Sequence, residues 1–417
     1  MNLPPPPSSR FVIACGGTGG HLFPGLAVAN KLVARGCEVT LLISPKDVDQ
    51  QAVKRARQVE IVTLPAVGLS RRGELAFVHG FTRSYRLARK LFRWLRPQAA
   101  LAMGGFTSAP PILAAKAVGA RTFLHESNTI PGRANRWLSW IVDHAFIGFP
   151  CAASRLKRCS VSVSGTPVRP EFKPRDAASC RVELGLEPER PVMLVMGGSQ
   201  GARAVNELIG RALPLLAKAA PDWQWIHLTG PDDCSRMQQE YAALNLKALV
   251  YPFFDRMEYA LGAAVGAVTR AGASTLAELA AMRLPTVLVP YPAAIDNHQW
   301  HNAHAYATTG AARLLPQTEA TKEEVTRSLL ELVRNAALRQ AMQSALALWH
   351  CPAAGDEIAD HMLAAVEAAE PRRALRRPVS LRAIPAGARQ KLAAAPVDVV
   401  AEPAIARELP RPEPASV

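Results

Sequence analysis

The stretch Phe11-Val12-Ile13-Ala14-Cys15-Gly16-Gly17-Thr18-Gly19-Gly20-His21 decides how the chain is read. An unbroken apolar run of this length marks a strand covered on both faces. The glycines behind it leave backbone N–H groups bare at the positive end of a helix, where phosphate or developing negative charge is stabilised. Helical spacing of Leu26, Ala29, Leu32 and Val33, a stop at Gly36 and a second apolar run over 38–43 complete a right-handed β-α-β unit. The same device returns at Val192-Met193-Leu194-Val195-Met196-Gly197-Gly198-Ser199-Gln200-Gly201. Two copies nearly half a chain apart predict two α/β domains facing one another across a cleft.

Outward from these copies, strands are predicted at 61–64, 99–103, 122–125, 145–147 and 161–164, and again at 225–228, 249–252, 267–269 and 286–290. Helical stretches separate them, as a parallel sheet demands. Pro167 and Pro170 place the boundary, giving domains over 10–167 and 168–348, and 322–368 reads as helical. Residues 369–417 are rich in Pro, Ala and Arg without sustained periodicity and read as a disordered tail.

A chain of 417 residues with 49% hydrophobic content suffices for two cores. No apolar run reaches the roughly 18–20 residues of a membrane helix. The proline-rich residues 1–10 lack a charged segment followed by a long apolar one, so no secretion leader is expected. Seven cysteines without a Cys-x-x-Cys pair argue against disulfides and structural zinc. The net charge of +15 calls for an anionic partner. No zinc-finger spacing, RNA-binding aromatic motif or helix-turn-helix accompanies it, so nucleic acid is the weakest candidate, behind anionic lipid and a negatively charged small substrate.

A nicotinamide or flavin site fails, because neither glycine turn has the G-x-G-x-x-G spacing, and no Gly-Lys-Ser/Thr follows for a nucleotide triphosphate. His21 stands at the C-terminal edge of the first sheet, where open α/β folds bind ligands; it suits a base for a hydroxyl nucleophile, the plainer role being a helix-start hydrogen bond. His125-Glu126-Ser127-Asn128 ends another strand at that edge, and a buried hydrogen-bonded pair is its plainer reading. Gly104-Gly105-Phe106 makes a third glycine turn. In the second half, Arg270-Ala271-Gly272-Ala273-Ser274-Thr275 lets a diphosphate approach the backbone, with Ser274 or Thr275 as a cap and Glu278 one turn on for ribose hydroxyls. Asp296-Asn297-His298-Gln299, with Asn302 beyond, is dense in amides and suits a sugar. Residues 70–96 carry eight Lys and Arg against the single Glu74, interleaved with bulky apolar residues, which suits a membrane surface as well as a helix with a solvated basic face. Phe77, Phe81, Arg86, Arg89 and Trp94 are the candidates for membrane contact.

Together these motifs resemble the MurG family of bacterial peptidoglycan glycosyltransferases, from Gly16–Ala27 through Met103–Phe106, His125–Asn128, 165–169, 197–202 and 270–279 to Asp296–Gln299. The resemblance covers roughly residues 10 to 365. It implies a GT-B fold of two Rossmann-like parallel-sheet domains facing a cleft, with residues 349–368 returning to the first domain. It implies transfer of GlcNAc from UDP-GlcNAc to the MurNAc C4 hydroxyl of lipid I, with inversion at the anomeric carbon and neither cofactor nor metal. By position it puts Thr18, Gly19 and Gly20 beside the donor diphosphate and Asn128 on the donor sugar. Arg169, Ser199 and Phe254 fall in the nucleotide pocket. Ala273, Ser274, Thr275, Leu276, Ala277 and Glu278 fall around diphosphate and ribose, and His298 and Gln299 on GlcNAc. His21 is expected as the base, with Glu126 in reserve. The implied partners are UDP-GlcNAc, lipid I, an anionic cytoplasmic membrane surface and cell-wall and division proteins, at the cytoplasmic face of the inner membrane. The family commonly has Gln where Ser127 stands and often Gly where Ala109 stands. The rival readings are another GT-B lipid glycosyltransferase, such as a diacylglycerol galactosyltransferase, and a non-catalytic nucleotide-sugar-binding scaffold.

Overall fold

The computed structural model describes residues 9–16, 19–46, 50, 59–65, 74–198 and 201–369. Thr18, Ser199 and the predicted tail from residue 370 onward lie outside them. Within the described residues, the first sheet comprises β1 (Arg10–Ala14), β2 (Glu38–Ile43), β3 (Glu60–Thr63), β4 (Ala99–Ala102), β5 (Arg121–Glu126), β6 (His144–Ile147) and β7 (Ser160–Val163). Its order is β3-β2-β1-β4-β5-β6-β7, with every pairing parallel. The second comprises β8 (Val192–Met196), β9 (Gln224–Leu228), β10 (Lys247–Tyr251), β11 (Gly266–Thr269), β12 (Thr286–Leu288) and β13 (Arg313–Leu314), in the order β10-β9-β8-β11-β12-β13, again all parallel.

The apolar runs behave as their patterning requires. Along β1, Phe11 and Ile13 enter one core and Val12 and Ala14 the other, because successive side chains leave a strand on opposite faces. The helices covering the first sheet include α1 (Gly19–Ala34), α2 (Glu74–Leu95), α3 (Ala109–Ala117) and α4 (Arg133–Leu138). Those of the second half are α5 (Ala177–Glu183), α6 (Arg203–Ala219), α7 (Cys234–Ala243), α8 (Met257–Ala263), α9 (Ala273–Met282), α10 (His298–Thr308), α11 (Lys322–Arg334) and α12 (Ala336–Trp349).

The last helix, α13 (Ala354–Glu367), leaves the second sheet and packs on α1. Ile358, Ala359, Met362 and Val366 fill the same core as Phe11 and Ile13. Lys31 of α1 and Arg35 just beyond its end pair with Asp356, and Arg35 also with Asp360, at 2.6–2.9 Å. Surface pairs contribute about 0–1 kcal/mol each, whereas burying Ile358 or Met362 contributes about 1.5–3 kcal/mol, so apolar contact holds this helix in place. Before it, Phe149 of the first half meets Tyr306 and Trp349 of the second at ring-centroid distances of 6.2 and 5.4 Å, the latter two stacking on each other at 4.3 Å.

In each sheet the strand order reverses once about the glycine-turn strand, between β1 and β4 and between β8 and β11. Open parallel sheets bind ligands at such reversals, outside the carboxyl ends of the strands. Both reversals open onto one cleft between the two lobes.

Candidate active site in the interlobe cleft

The cleft has a volume of about 2110 Å³. Pockets for one small ligand run to roughly 300–1,000 Å³, so there is room for a nucleotide sugar and a second substrate together. The first lobe contributes Gly19, Gly20, His21 and Asn128, and the second Arg169, Phe254, Ala273, Ser274, Thr275, Glu278, His298 and Gln299. Residues from every sequence motif thus meet in one space.

Helices α1, α6 and α9 are among those that begin there. Helix α9 follows Gly272 at its N-cap with no side-chain cap, and Leu276 N–H already donates to the Gly272 carbonyl. Ser274 and Thr275, expected as caps, are instead the second and third residues of the helix, and it is the first-turn N–H groups that face the cleft. Leu276 and Ala277 do not line the cleft: Leu276 is buried in the core, and Ala277 faces a small crevice beside Trp349. Helical phase is the reason, since 274, 275 and 278 share one face and 276 turns inward. Helix α6 starts beyond Gly197–Gly201, also without a side-chain cap. A Cβ at Gly197 would lie 2.3 Å from Ala202 N and one at Gly201 2.4 Å from the Thr229 carbonyl, so only glycine lets this turn close.

His21 lies in the first turn of α1, with its ring on the Gly104-Gly105 turn. Gly104 has φ +113° and Gly105 +76°, and a Cβ at Gly104 would stand 2.8 Å from His21 Nε2. The third glycine turn is therefore the seat of the imidazole. Nearby His125 is fully buried, with Nε2–H donating to the Gly165 carbonyl at 2.9 Å and Nδ1 accepting from the Ser127 hydroxyl at 3.2 Å. Burial pushes its basicity down, against the pull of the Gly165 carbonyl.

Glu126 sits beneath the cleft floor, 3% exposed. One carboxylate oxygen accepts from Asn128 N–H and its side-chain amide at 2.9 and 3.0 Å, the other from Gly132 N–H and the Asn135 amide, both at 2.9 Å. Four donors make it the anchor of the 127–132 loop. Asn135, which the sequence reading passed over, is the helix α4 residue that completes this anchor. Ser127, where the family commonly has Gln, spends its hydroxyl on His125.

On the opposite wall Arg169 stacks over Phe23 at 4.4 Å and Phe172 at 4.7 Å, and faces Glu171 at 3.2 Å and Glu278 at 3.8 Å. The Glu278 side chain is 17% exposed. Burial raises its pKa to about 7, with Arg169 opposing and Glu171 assisting the rise. Gln299 Oε1 accepts from Tyr291 N–H at 3.0 Å, which leaves its NH₂ for the cleft. His298 donates Nδ1–H to the Ile295 carbonyl at 2.8 Å. Arg270 lines the cleft and is largely buried, donating to the Val289 and Pro290 carbonyls and so tying the end of β11 to the segment that follows β12.

The pattern of the glycosyltransferase family 28 N-terminal domain matches residues 11–147, and that of the C-terminal domain matches residues 192–357. A relative from Moorella thermoacetica is 36% identical over 372 residues, 86% of this chain and 99% of its own. One from Geobacter sulfurreducens is 33% identical over 87% of this chain and 100% of its own. Both are described as UDP-N-acetylglucosamine--N-acetylmuramyl-(pentapeptide) pyrophosphoryl-undecaprenol N-acetylglucosamine transferase. The crystal structure of MurG from Acinetobacter baumannii superposes with a TM-score of 0.66 at 28% identity, covering 86% of this chain and 100% of that one. A UDP-GlcNAc 2-epimerase from Neisseria meningitidis shares the fold, with a TM-score of 0.63 at 14% identity over 85% of this chain and 100% of its own. With both domain patterns in order along two facing parallel-sheet lobes, the chain belongs to the MurG family of glycosyltransferases, in glycosyltransferase family 28.

Proposed function

We propose that this enzyme transfers GlcNAc from UDP-GlcNAc to the MurNAc C4 hydroxyl of undecaprenyl-pyrophosphoryl-MurNAc-pentapeptide, the lipid I to lipid II step of peptidoglycan synthesis. The observation that carries the reading is the match to the Moorella transferase across 99% of that protein's length, with the chemistry-bearing residues converging on one cleft. The donor lies on the second lobe, its diphosphate against the first turn of α9 and its ribose on Glu278. The sugar lies between Gln299, His298 and Asn128. His21, seated on Gly104-Gly105, takes the proton from the C4 hydroxyl as that oxygen attacks C1 from the face opposite the departing UDP. The C1–O bond to UDP breaks, the new bond is β, and the charge appearing on UDP is met by the helix N-termini. Glu126, with both oxygens engaged by four donors, holds the loop that carries Asn128.

The acceptor's lipid anchor requires an approach to a membrane surface, and no described helix is long and apolar enough to cross one. We place the enzyme peripherally at the cytoplasmic face of the inner membrane, through α2. Arg86, Arg89 and Trp94 are exposed on this helix, Trp94 by 55%. Phe81 is half-buried against the core, and Phe77 meets Phe81 at 6.0 Å and the cleft-lining Phe106 at 5.8 Å. The candidates thus divide into an outward basic and Trp face and an aromatic run leading to the cleft mouth. Cell-wall and division proteins as partners follow from this location.

The direct test supplies purified enzyme with UDP-GlcNAc or UDP-galactose as donor and either a short-chain lipid I analogue or diacylglycerol as acceptor. Disaccharide formation on the lipid I analogue alone is expected. Transfer to diacylglycerol instead favours the other lipid glycosyltransferase reading, and transfer to neither overturns both.

A further inference from the structure

Asn302 on α10 is fully buried and uses its whole hydrogen-bonding capacity on the protein. Its Oδ1 accepts from Thr129 N–H at 3.0 Å and Thr129 Oγ1–H at 2.9 Å, both on the first lobe. Its Nδ2 donates to Asn128 Oδ1 at 3.0 Å and to the Ala271 carbonyl at 3.2 Å, the latter on the second lobe just before α9. The sequence pattern grouped Asn302 with sugar-binding amides; its place is at the junction of the lobes.

The consequence concerns Asn128. Its Nδ2 is claimed by Glu126 Oε1 and its Oδ1 by Asn302 Nδ2, so its amide orientation is dictated from both ends. A single chain of hydrogen bonds, Asn135–Glu126–Asn128–Asn302–Ala271, joins the loop facing the donor sugar to the turn facing the diphosphate. We infer that Asn302 is a positioning residue for glycosyl transfer: it aligns the sugar-facing loop of the first lobe with the diphosphate-facing turn of the second. This rests on the donor reading given above. A register error near 1 Å between such elements costs roughly 100-fold in rate, which makes one interlobe amide enough to matter.

Asn302→Asp separates the two arms. It keeps the acceptor for Thr129 but, at pH 8, presents carboxylate oxygen to Asn128 Oδ1 and the Ala271 carbonyl, and Asn128 cannot flip because Glu126 also needs a donor. The expected result is a kcat about 100-fold lower with the Kd for UDP raised less than about tenfold, since the direct contacts of UDP are on the second lobe and only its coupling to the 127–132 loop is lost. A kcat within threefold of the parent, or a loss of UDP affinity matching the loss of kcat, overturns the inference. A second measurement needs no variant: in the parent enzyme, UDP alone is expected to slow amide exchange in the peptide spanning 127–132. Protection confined to the second lobe overturns it. Failure of the parent to transfer GlcNAc to the lipid I analogue counts against the donor reading itself, and the exchange result stands apart from that outcome.

Discussion

Glu278 carries the clearest titration in the cleft. Its pKa, raised by burial to about 7, lies above the ordinary carboxylate value, so the empty folded protein favours the protonated form. That preference contributes stability at low pH which is lost as pH rises through 7. Ribose hydroxyls reverse the balance, because two O–H donors favour the carboxylate. UDP-GlcNAc, whose diphosphate does not titrate here, should bind about tenfold more tightly at pH 8 than at pH 6. Calorimetry on Glu278→Gln should show weaker binding and a flat profile; an unchanged slope would remove Glu278 from the ribose. His21→Ala should lower turnover by about 100-fold or more, read in a steady-state assay, and near-normal turnover would remove His21 as base. Side chains such as His21, Asn128 and Gln299 were legible because each follows a strand at the carboxyl edge of its sheet. The resemblance places Leu276 and Ala277 with them by position, and helical phase turns both side chains away from the cleft. Asn302 was misread because its partner Thr129 lies 173 residues away in sequence.

At the scale of elements, the glycine turns matter as shapes as much as donors. Gly104 is the sharpest case: a side chain there must adopt φ +113° and intrude on the His21 ring. Gly104→Ala should therefore reduce kcat by about 100-fold while leaving UDP affinity in calorimetry nearly unchanged, because the second lobe is untouched. Equal loss of both would mean that the turn supports folding rather than the imidazole. The apolar runs revealed most strands to within a residue or two, since burial on both faces writes itself into sequence. Strand β13 was missed: it has two residues, Arg313 and Leu314, and both are only partly buried. The helical reading of 322–368 resolves into three helices, broken at Asn335 and again over 350–353.

Among the described residues the two nucleotide-fold lobes are held by interlobe contacts that include Asn302 with Thr129 and Asn128, Arg136 with Asp296, Arg169 with Phe23, the Phe149–Tyr306–Trp349 cluster and the returning helix α13. Such pairings across lobes have no local signature in sequence, whereas the resemblance of ordered motifs reports their outcome. Placement at a membrane belongs to this scale too. Combined Arg86→Ser, Arg89→Ser and Trp94→Ser should weaken flotation with anionic vesicles by at least roughly 30-fold, taking about 1 kcal/mol per basic residue. Equal flotation would return α2 to a purely structural role. The central claim is that the opposed lobes grip the sugar nucleotide between them, and a crystal structure with UDP-GlcNAc tests it most directly. The expected density puts the diphosphate on the N–H groups of Ser274 and Thr275, the ribose on Glu278 and GlcNAc C1 toward His21. A nucleotide bound outside the cleft, or with its phosphates turned away from α9, would contradict it.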